Sequence, residues 1–189
     1  MGKGKMFRKY AGLIGAMALL LCAAGGMKVQ AASAKAMAKT AYNSYMAGAH
    51  SNLKFALIYL DKDSVPELVV SDGKIYTYKK ASGMVLLQDD YEFDYQKYYK
   101  KKGVIYSDII PGAVMDYDVG YYQRVKGKKL ATIVSFNHYH SGKWEYFNSK
   151  YKKINKNQFK SLIKKYAGSR KLTKIKYYQN TPANRNKYL

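Results

Sequence analysis

Residues 55–70 read FALIYLDKDSVPELVV, which is two apolar runs separated by a short acidic segment. Apolar, β-branched runs of this length bounded by turn residues are typical of β-strands. The stretch therefore predicts a strand that enters a turn carrying Asp61 and Asp63, and a second strand that leaves the turn at Glu67. It decides the fold class, because the same alternation of short strand-like runs and turn residues continues to residue 148.

Working outward from this hairpin, the pattern predicts eight strands. They lie near residues 53–60, 67–71, 74–79, 83–88, 103–107, 114–125, 129–138 and 143–148. The segment 91–102 contains Tyr91, Tyr95, Tyr98 and Tyr99 and is compatible with either a helix or an irregular crossing. A further strand is expected at 172–178, before Thr181 and Pro182 begin a short terminal helix.

Helical periodicity flanks the strands on both sides. Residues 34–47 are rich in helix formers with one apolar face, and Gly48 offers a stop. Asn155 and Gln158 form a capping-box pair ahead of an amphipathic helix over 156–166, with Gly168 after it. The predicted fold class is α+β, with an N-terminal helix, an antiparallel β-meander of about seven or eight short strands and an amphipathic helix near the C-terminus.

The acidic turn also carries a family resemblance. Residues 59–68 follow the Asp-x-Asn/Asp-x-Asp-Gly-x-Pro-Glu-Leu pattern loosely, and further similarities occur at 75–79, 101–107, 151–155 and 180–185. The chain resembles an uncharacterised secreted protein family of low-GC Gram-positive bacteria. The resemblance implies a location and an α+β fold, and it implies no activity.

Related turns in other families bind calcium, which makes Asp61, Asp63 and Glu67 candidate ligands. Calcium takes six to eight oxygen ligands around a sharp glycine turn. Here Tyr59 stands at the first acidic position and Ser64 at the glycine. We therefore prefer a metal-free hairpin over a weak calcium site, and the sequence predicts no cofactor.

The first thirty-one residues have the three-part layout of a secretory signal peptide. Four basic residues at positions 3–9 precede the apolar run 11–26, and Val29-Gln30-Ala31 supplies small residues for cleavage between Ala31 and Ala32. The alternative is a membrane anchor, but the run is shorter than the roughly twenty residues that a span needs. We expect a signal at 1–31 and one secreted domain at 32–189, extracellular or attached to the cell wall, with no transmembrane segment after cleavage.

Cysteine usage limits the chemistry of the mature chain. The only cysteine, Cys22, lies inside the predicted signal. Disulfides, thiolate metal sites and cysteine nucleophiles are therefore excluded after cleavage.

The net charge of the chain is +22, and it is concentrated in the C-terminal part. Residues 32–118 contain eleven basic and eleven acidic side chains, whereas residues 119–189 contain eighteen basic ones and a single carboxylate, Glu145. Such a surface suits a polyanionic partner, although general solubility also explains it. For an exported protein, we expect an anionic cell-surface polymer, either teichoic acid or acidic polysaccharide, and no intracellular nucleic acid.

The best-located part of this charge is on the 156–166 helix. Lys156, Lys160 and Lys164 recur every four residues on one side, and Lys174 and Lys176 share a face of the strand predicted next. A solvated helix face is the usual explanation of such a stripe. A contiguous polyanion-binding surface is the alternative that we prefer.

Three functions remain open at the level of sequence. The preferred one is a non-catalytic secreted or wall-associated protein that binds acidic polymer through residues 119–189. The second is an extracellular protein-interaction or inhibitory module that uses tyrosine-rich loops. An extracellular enzyme comes last, because the mature chain lacks a nucleophile elbow, a metal-ligand cluster of adequate size and a phosphate-binding glycine loop.

Overall fold

The computed structural model describes residues 33–109 and 116–189. The predicted signal segment 1–31, its cleavage point at Ala31 and Ala32, and Cys22 lie outside the described residues. Among the helices of the described part, none has both the length and the apolar character needed to cross a lipid bilayer.

The described residues contain three helices, close to the positions that the sequence predicts. They are α1 (Ala34–Ala47), α2 (Lys156–Ala167) and α3 (Pro182–Tyr188). The Ser33 side chain caps α1, and both hydrogen bonds of the capping box between Asn155 and Gln158 are present at the start of α2. Thr181 caps α3, which has Pro182 in its first turn.

The described residues contain twelve strands. They are β1 (Lys54–Ile58), β2 (Glu67–Val70), β3 (Lys74–Lys79), β4 (Gly83–Asp89), β5 (Phe93–Tyr99), β6 (Val104–Ile109), β7 (Tyr117–Lys126), β8 (Lys129–Tyr139), β9 (Trp144–Asn148), β10 (Lys153–Ile154), β11 (Thr173–Lys174) and β12 (Tyr178–Gln179). The α+β class is confirmed. The prediction of seven or eight strands is too low.

The strands form two antiparallel sheets. The first sheet has the order β12-β1-β2-β3-β4, and the second has the order β10-β9-β8-β7-β6-β5-β11. Consecutive strands are neighbours from β1 to β4 and again from β5 to β10, so the predicted meander exists as two meanders.

Two expectations about individual segments need correction. The open segment 91–102 contains β5, and the predicted strand over 172–178 is two short strands in different sheets. Ile175 lies between these two strands and is 4% exposed in the core. The chain passes from the second sheet to the first there, and Ile175 packs in the core cluster that the two sheets share.

Three hydrophobic clusters show how the layers pack. The largest contains residues of both sheets, such as Ile58 and Ile75 from the first and Tyr95 and Ile105 from the second, so the sheets pack face to face. A second cluster joins α1 to the other side of the first sheet, and a third joins α2 to the other side of the second sheet. The layer order is α1, first sheet, second sheet, α2.

Candidate functional site

The acidic turn between β1 and β2 brings its three predicted carboxylates together. One ligand atom each from Asp61, Asp63 and Glu67 lie within 4.8 Å of one another. The carboxylates also hold the turn itself, since Asp61 accepts a hydrogen bond from the Asp63 N–H (3.0 Å) and Asp63 accepts one from the Val65 N–H (2.9 Å). These bonds give the acidic residues a structural role without a ligand.

Charge in this turn is partly balanced by a lysine of β3. The Lys79 Nζ lies 3.1 Å from Asp63 and 3.6 Å from Asp61. Glu67 is 1% exposed and its Oε2 accepts a hydrogen bond from the Leu60 N–H at 2.8 Å. Burial, together with the negative charges of Asp61 and Asp63, raises the pKa of Glu67 to about 8. The weak calcium site stays a prediction. The turn in which it is predicted already contains the ammonium group of Lys79.

A second constellation, which we call the aromatic groove, lies on the α2 side of the second sheet. Its lining aromatic side chains come from four strands and the helix and are Tyr106, Tyr122, Phe136, Trp144, Tyr146 and Phe159. The groove encloses a cavity of about 250 Å³. Trp144 is 47% exposed, so a large part of its indole surface faces solvent.

Packing fixes the floor of the groove. The Tyr106 and Phe136 rings are stacked with centroids 6.3 Å apart, and Phe159 of α2 packs edge-on against Phe136 at 6.1 Å. Gly120 of β7 is the register partner of Phe136, and a Cβ at this position would lie 2.3 Å from the Phe136 Cζ. The ring therefore occupies the space that any other residue at position 120 would fill.

Lysines border one end of the aromatic groove. Lys97, Lys156 and Lys160 line it together with the aromatic side chains. Lys174 is the register partner of Lys97 across β11 and β5, which places it on the same sheet face. Lys164 is exposed on α2, one turn beyond Lys160.

Lys176 does not share a strand face with Lys174, contrary to the prediction from the sequence. Because the strand over 172–178 is divided, Lys174 and Lys176 are not on one face of a continuous strand. The Lys176 Nζ lies 5.5 Å from the ring centroid of Tyr178, which belongs to the first sheet.

The groove continues into an acidic cavity. A neighbouring cavity of about 450 Å³ shares Tyr106, Phe136 and Trp144 and is also lined by Asp94, Asp108 and Asp118. Burial raises the pKa of Asp108, whose carboxylate accepts a hydrogen bond from the Tyr106 hydroxyl. An anionic ligand is therefore favoured only at the lysine end.

A third constellation, which we call the basic cleft, lies beside the C-terminal half of α2. Its charged lining residues are Arg124, Lys126, Lys150 and Lys152, and none of its lining residues is acidic. The cleft has a volume of about 790 Å³ and includes Leu162 and Tyr166 of α2. The Arg124 guanidinium lies 4.7 Å from the Tyr166 ring centroid.

The single carboxylate of residues 119–189 neutralises other lysines. Glu145 lies 2.8 Å from Lys153 and 3.0 Å from Lys143, and it also accepts a hydrogen bond from Tyr139. The hydrogen bond from Lys153, then those from Lys143 and Tyr139, lower the pKa of Glu145 to about 2. Within residues 33–109 and 116–189, no ion pair involves a cation of the aromatic groove or the basic cleft.

Sequence reasoning found part of this surface. It identified Lys156 and Lys160, but neither Lys97 nor the cations of the basic cleft. Arg124 and Lys150 come together only through the register of β7, β8 and β9. The available signal was that Glu145 is the only acidic residue in 119–189, which predicts unpaired cations without locating them.

Comparison with known proteins gives no match to a family model, to a curated protein or to a solved structure.

Proposed function

We propose that the protein is a non-catalytic binding protein for an anionic cell-surface polymer, teichoic acid or acidic polysaccharide. The supporting observation is that Lys156 and Lys160 of α2 line the same groove as the exposed Trp144. Cations attract the charge of the polymer, and an aromatic face gives a sugar ring a surface on which to stack. The same groove thus offers both kinds of contact to a charged glycan.

Several further cations extend this surface. Lys97 and Lys174 lie beside the lysine end of the groove, and the basic cleft lies along the same helix. Polyelectrolyte binding is driven by release of counterions, so its strength depends on how many cations contact the polymer. A polymer that crosses α2 would meet cations on both sides of the helix.

Salt-dependent retention tests the proposal. The wild type is compared with the triple variant Lys156→Gln/Lys160→Gln/Lys164→Gln on immobilised teichoic acid and on a heparin-like polymer. On a DNA-like polymer each lost contact lowers the salt slope by about one unit, and we expect a lower slope and earlier elution here. The matched control is Lys35→Gln/Lys54→Gln/Lys187→Gln, which removes the same charge from exposed positions on α1, the first sheet and α3. Equal elution of the two triple variants would contradict the proposal.

Trp144 provides an independent measurement in solution. It is the only tryptophan of the chain, so tryptophan fluorescence reports on the aromatic groove alone. We expect its emission to change on titration with an acidic polysaccharide. No change during saturable binding would show that the polymer binds elsewhere.

Export is a separate part of the proposal and has its own test. We propose that the protein acts outside the cell after removal of residues 1–31. N-terminal sequencing of secreted material should begin at Ala32. An intact Met1, or a lipid on Cys22, would contradict this.

Exposed aromatic residues favour an interaction or inhibitory module as the second candidate. Besides Trp144, Tyr91 is 79% and Tyr151 is 68% exposed. Such side chains are common at the centres of protein interfaces. Stoichiometric capture of a protein partner at high salt, with no retention on polyanions, would favour this candidate over polymer binding.

A further inference from the structure

We propose that the basic cleft is a binding site for phosphodiester groups. The anionic polymer that binds along α2 is then a phosphodiester polymer. The inference rests on the proposed function and names the anionic group that is recognised. Its basis is the chemistry of the cleft, which differs from that of the aromatic groove.

The cleft gathers positive charge without a compensating carboxylate. Arg124 and Lys126 come from β7, while Lys150 and Lys152 come from the turn between β9 and β10. The aromatic groove, by contrast, continues into a cavity that is lined by three aspartates. Four clustered cations repel one another in the free protein, and a bound anion with several oxygen atoms relieves that repulsion.

The guanidinium of Arg124 is held in place by its neighbour. It lies 4.7 Å from the centroid of the Tyr166 ring, a contact that restricts its orientation. A planar guanidinium donates two parallel hydrogen bonds to a pair of phosphate oxygens. Arg124 therefore supplies the directional contact, and the lysines supply point charges around it.

The turn that carries Lys150 and Lys152 is also preorganised. The Asn148 Oδ1 accepts hydrogen bonds from the N–H groups of both lysines, at 2.9 and 3.2 Å. Tyr151 between them has φ of 55°, a left-handed conformation that is uncommon for a residue other than glycine. These bonds stabilise a turn that places two ammonium groups beside the cleft. Binding therefore costs little further conformational entropy for ordering this turn.

The shape and the donors of the cleft favour a phosphodiester over a carboxylate. A tetrahedral phosphodiester presents two charged oxygens and two weaker ester acceptors in different directions, which suits cations contributed from one strand and one turn, whereas a carboxylate has only two oxygens, which lie in one plane. Ser149 and Thr132 also line the cleft and add hydroxyl donors. A volume of about 790 Å³ accommodates a segment of polymer rather than a single ion.

Two sources of phosphodiester are distinguished by the choice of probe. The full-length mature chain is titrated with polyglycerol phosphate, with double-stranded DNA and with polygalacturonate, which carries only carboxylates. We expect both phosphodiester polymers to bind at least about tenfold more tightly than polygalacturonate at equal salt and matched charge density. Whichever of polyglycerol phosphate and double-stranded DNA binds with the higher affinity identifies the type of phosphodiester polymer that the cleft recognises. Equal affinity for polygalacturonate and polyglycerol phosphate would overturn the inference.

The cleft itself is tested with variants of exposed residues. Lys150→Gln/Lys152→Gln keeps the backbone bonds to Asn148 and should lower the salt slope for double-stranded DNA by about two units, and the slope for polyglycerol phosphate in the same direction. Lys54→Gln/Lys187→Gln removes the same charge elsewhere and should leave the slope unchanged. Arg124→Lys keeps the charge but removes the planar fork, so it should weaken binding of polyglycerol phosphate at equal salt. Thermal unfolding of each variant verifies that it is folded.

The outcomes separate this inference from the proposed function. If no polyanion binds the wild type, both fail. If polyanions bind, the α2 triple variant weakens binding and the Lys150/Lys152 double variant does not, then the proposed function stands and the phosphodiester cleft is refuted.

Discussion

Glu67 couples the stability of the protein to pH. It is 1% exposed, and burial raises its pKa to about 8 from an ordinary value of 4.5. Between these two pH values the unfolded chain ionises this side chain while the folded chain keeps it protonated. The folded state then binds more protons than the unfolded state, so stability falls as pH rises through this window.

The variant Glu67→Gln should remove this dependence. The amide oxygen still accepts the hydrogen bond from the Leu60 N–H, but it does not titrate. We expect the variant to gain stability relative to the wild type from about pH 5 to about pH 8, by on the order of a few kcal/mol in total. Urea unfolding at a series of pH values measures the difference. If the free energy of unfolding of the variant differed from that of the wild type by the same amount at every pH in this range, the raised pKa of Glu67 would be contradicted.

Gly120 is the residue on which the groove floor depends most directly. A Cβ at this position meets the Phe136 ring at 2.3 Å, so Gly120→Ala must displace that ring. We expect a loss of roughly 1–3 kcal/mol in the free energy of unfolding, together with a changed Trp144 emission spectrum. Thermal and urea denaturation give the first quantity, and fluorescence of the unliganded protein gives the second.

A second substitution serves as the control for Gly120→Ala. Adding Phe136→Leu shortens the opposing side chain, so the double variant should recover part of the lost stability. Equal stability of wild type and Gly120→Ala would mean that the ring has room to move.

At the scale of elements, the turn between β1 and β2 is predicted to respond weakly to calcium. Three carboxylates fall short of the six to eight oxygens that calcium takes, and Lys79 lies 3.1 Å from Asp63. A tight site would add several kcal/mol at millimolar calcium, so we expect only a small change in Tm. A large increase that disappears in Asp63→Ala would establish a calcium site instead.

The lysine stripe of α2 should contribute little to stability. Lys156, Lys160 and Lys164 are exposed and spaced by four residues, and like charges at this spacing cost about 0.2–0.5 kcal/mol per pair. Their replacement by glutamine should leave Tm unchanged or slightly higher, since Phe159 and the capping box are untouched. A clear drop in Tm would show that the stripe makes structural contacts.

The segment 91–102 shows why one element was not predictable. Tyr95 and Tyr98 are both buried although they are three residues apart, which resembles helical spacing. The register of β5 against β6 shifts between Tyr95 and Lys97, so one extra residue interrupts the alternation. The position of such a bulge depends on the pairing of β5 with β6, which the sequence of β5 alone does not show. Lys97, which follows the bulge and lines the aromatic groove, was therefore not predicted either.

The strands β1 to β4 and β6 to β9 were predictable because each carries its own local signal. All eight predicted stretches from 53 to 148 contain an observed strand, although residues 114 and 115 of one stretch lie outside the described part. The division into two sheets was not predictable, because alternation identifies the faces of a strand and not its neighbours. The basic cleft depends on that pairing, whereas the lysine stripe follows from helical periodicity alone.

At the scale of the whole molecule, Asn180 joins distant parts of the chain. Its side-chain amide donates to the Met46 carbonyl at 2.8 Å, near the end of α1, and its Oδ1 accepts a bond from Arg185. Asn180 is 4% exposed, so removing it leaves a buried carbonyl without this partner. We expect Asn180→Ala to lower the free energy of unfolding by about 1–3 kcal/mol.

Thermal unfolding and hydrogen exchange of α1 measure the effect. The control is Asn184→Ala, which removes a side-chain bond to the Gln179 carbonyl in an exposed setting and should cost less. Equal losses for the two variants would contradict the role given to Asn180.

The pairing of β1 with β12 has a consequence for biosynthesis. β12, Asn180 and α3 complete the layer that contains α1, so this helix is secured by residues far along the chain, with Met46 and Asn180 lying 134 positions apart. Contacts this distant in sequence form slowly. A nascent chain therefore cannot complete this layer before residues 178–188 have been synthesised, and until then α1 packs without the contacts of β12 and α3.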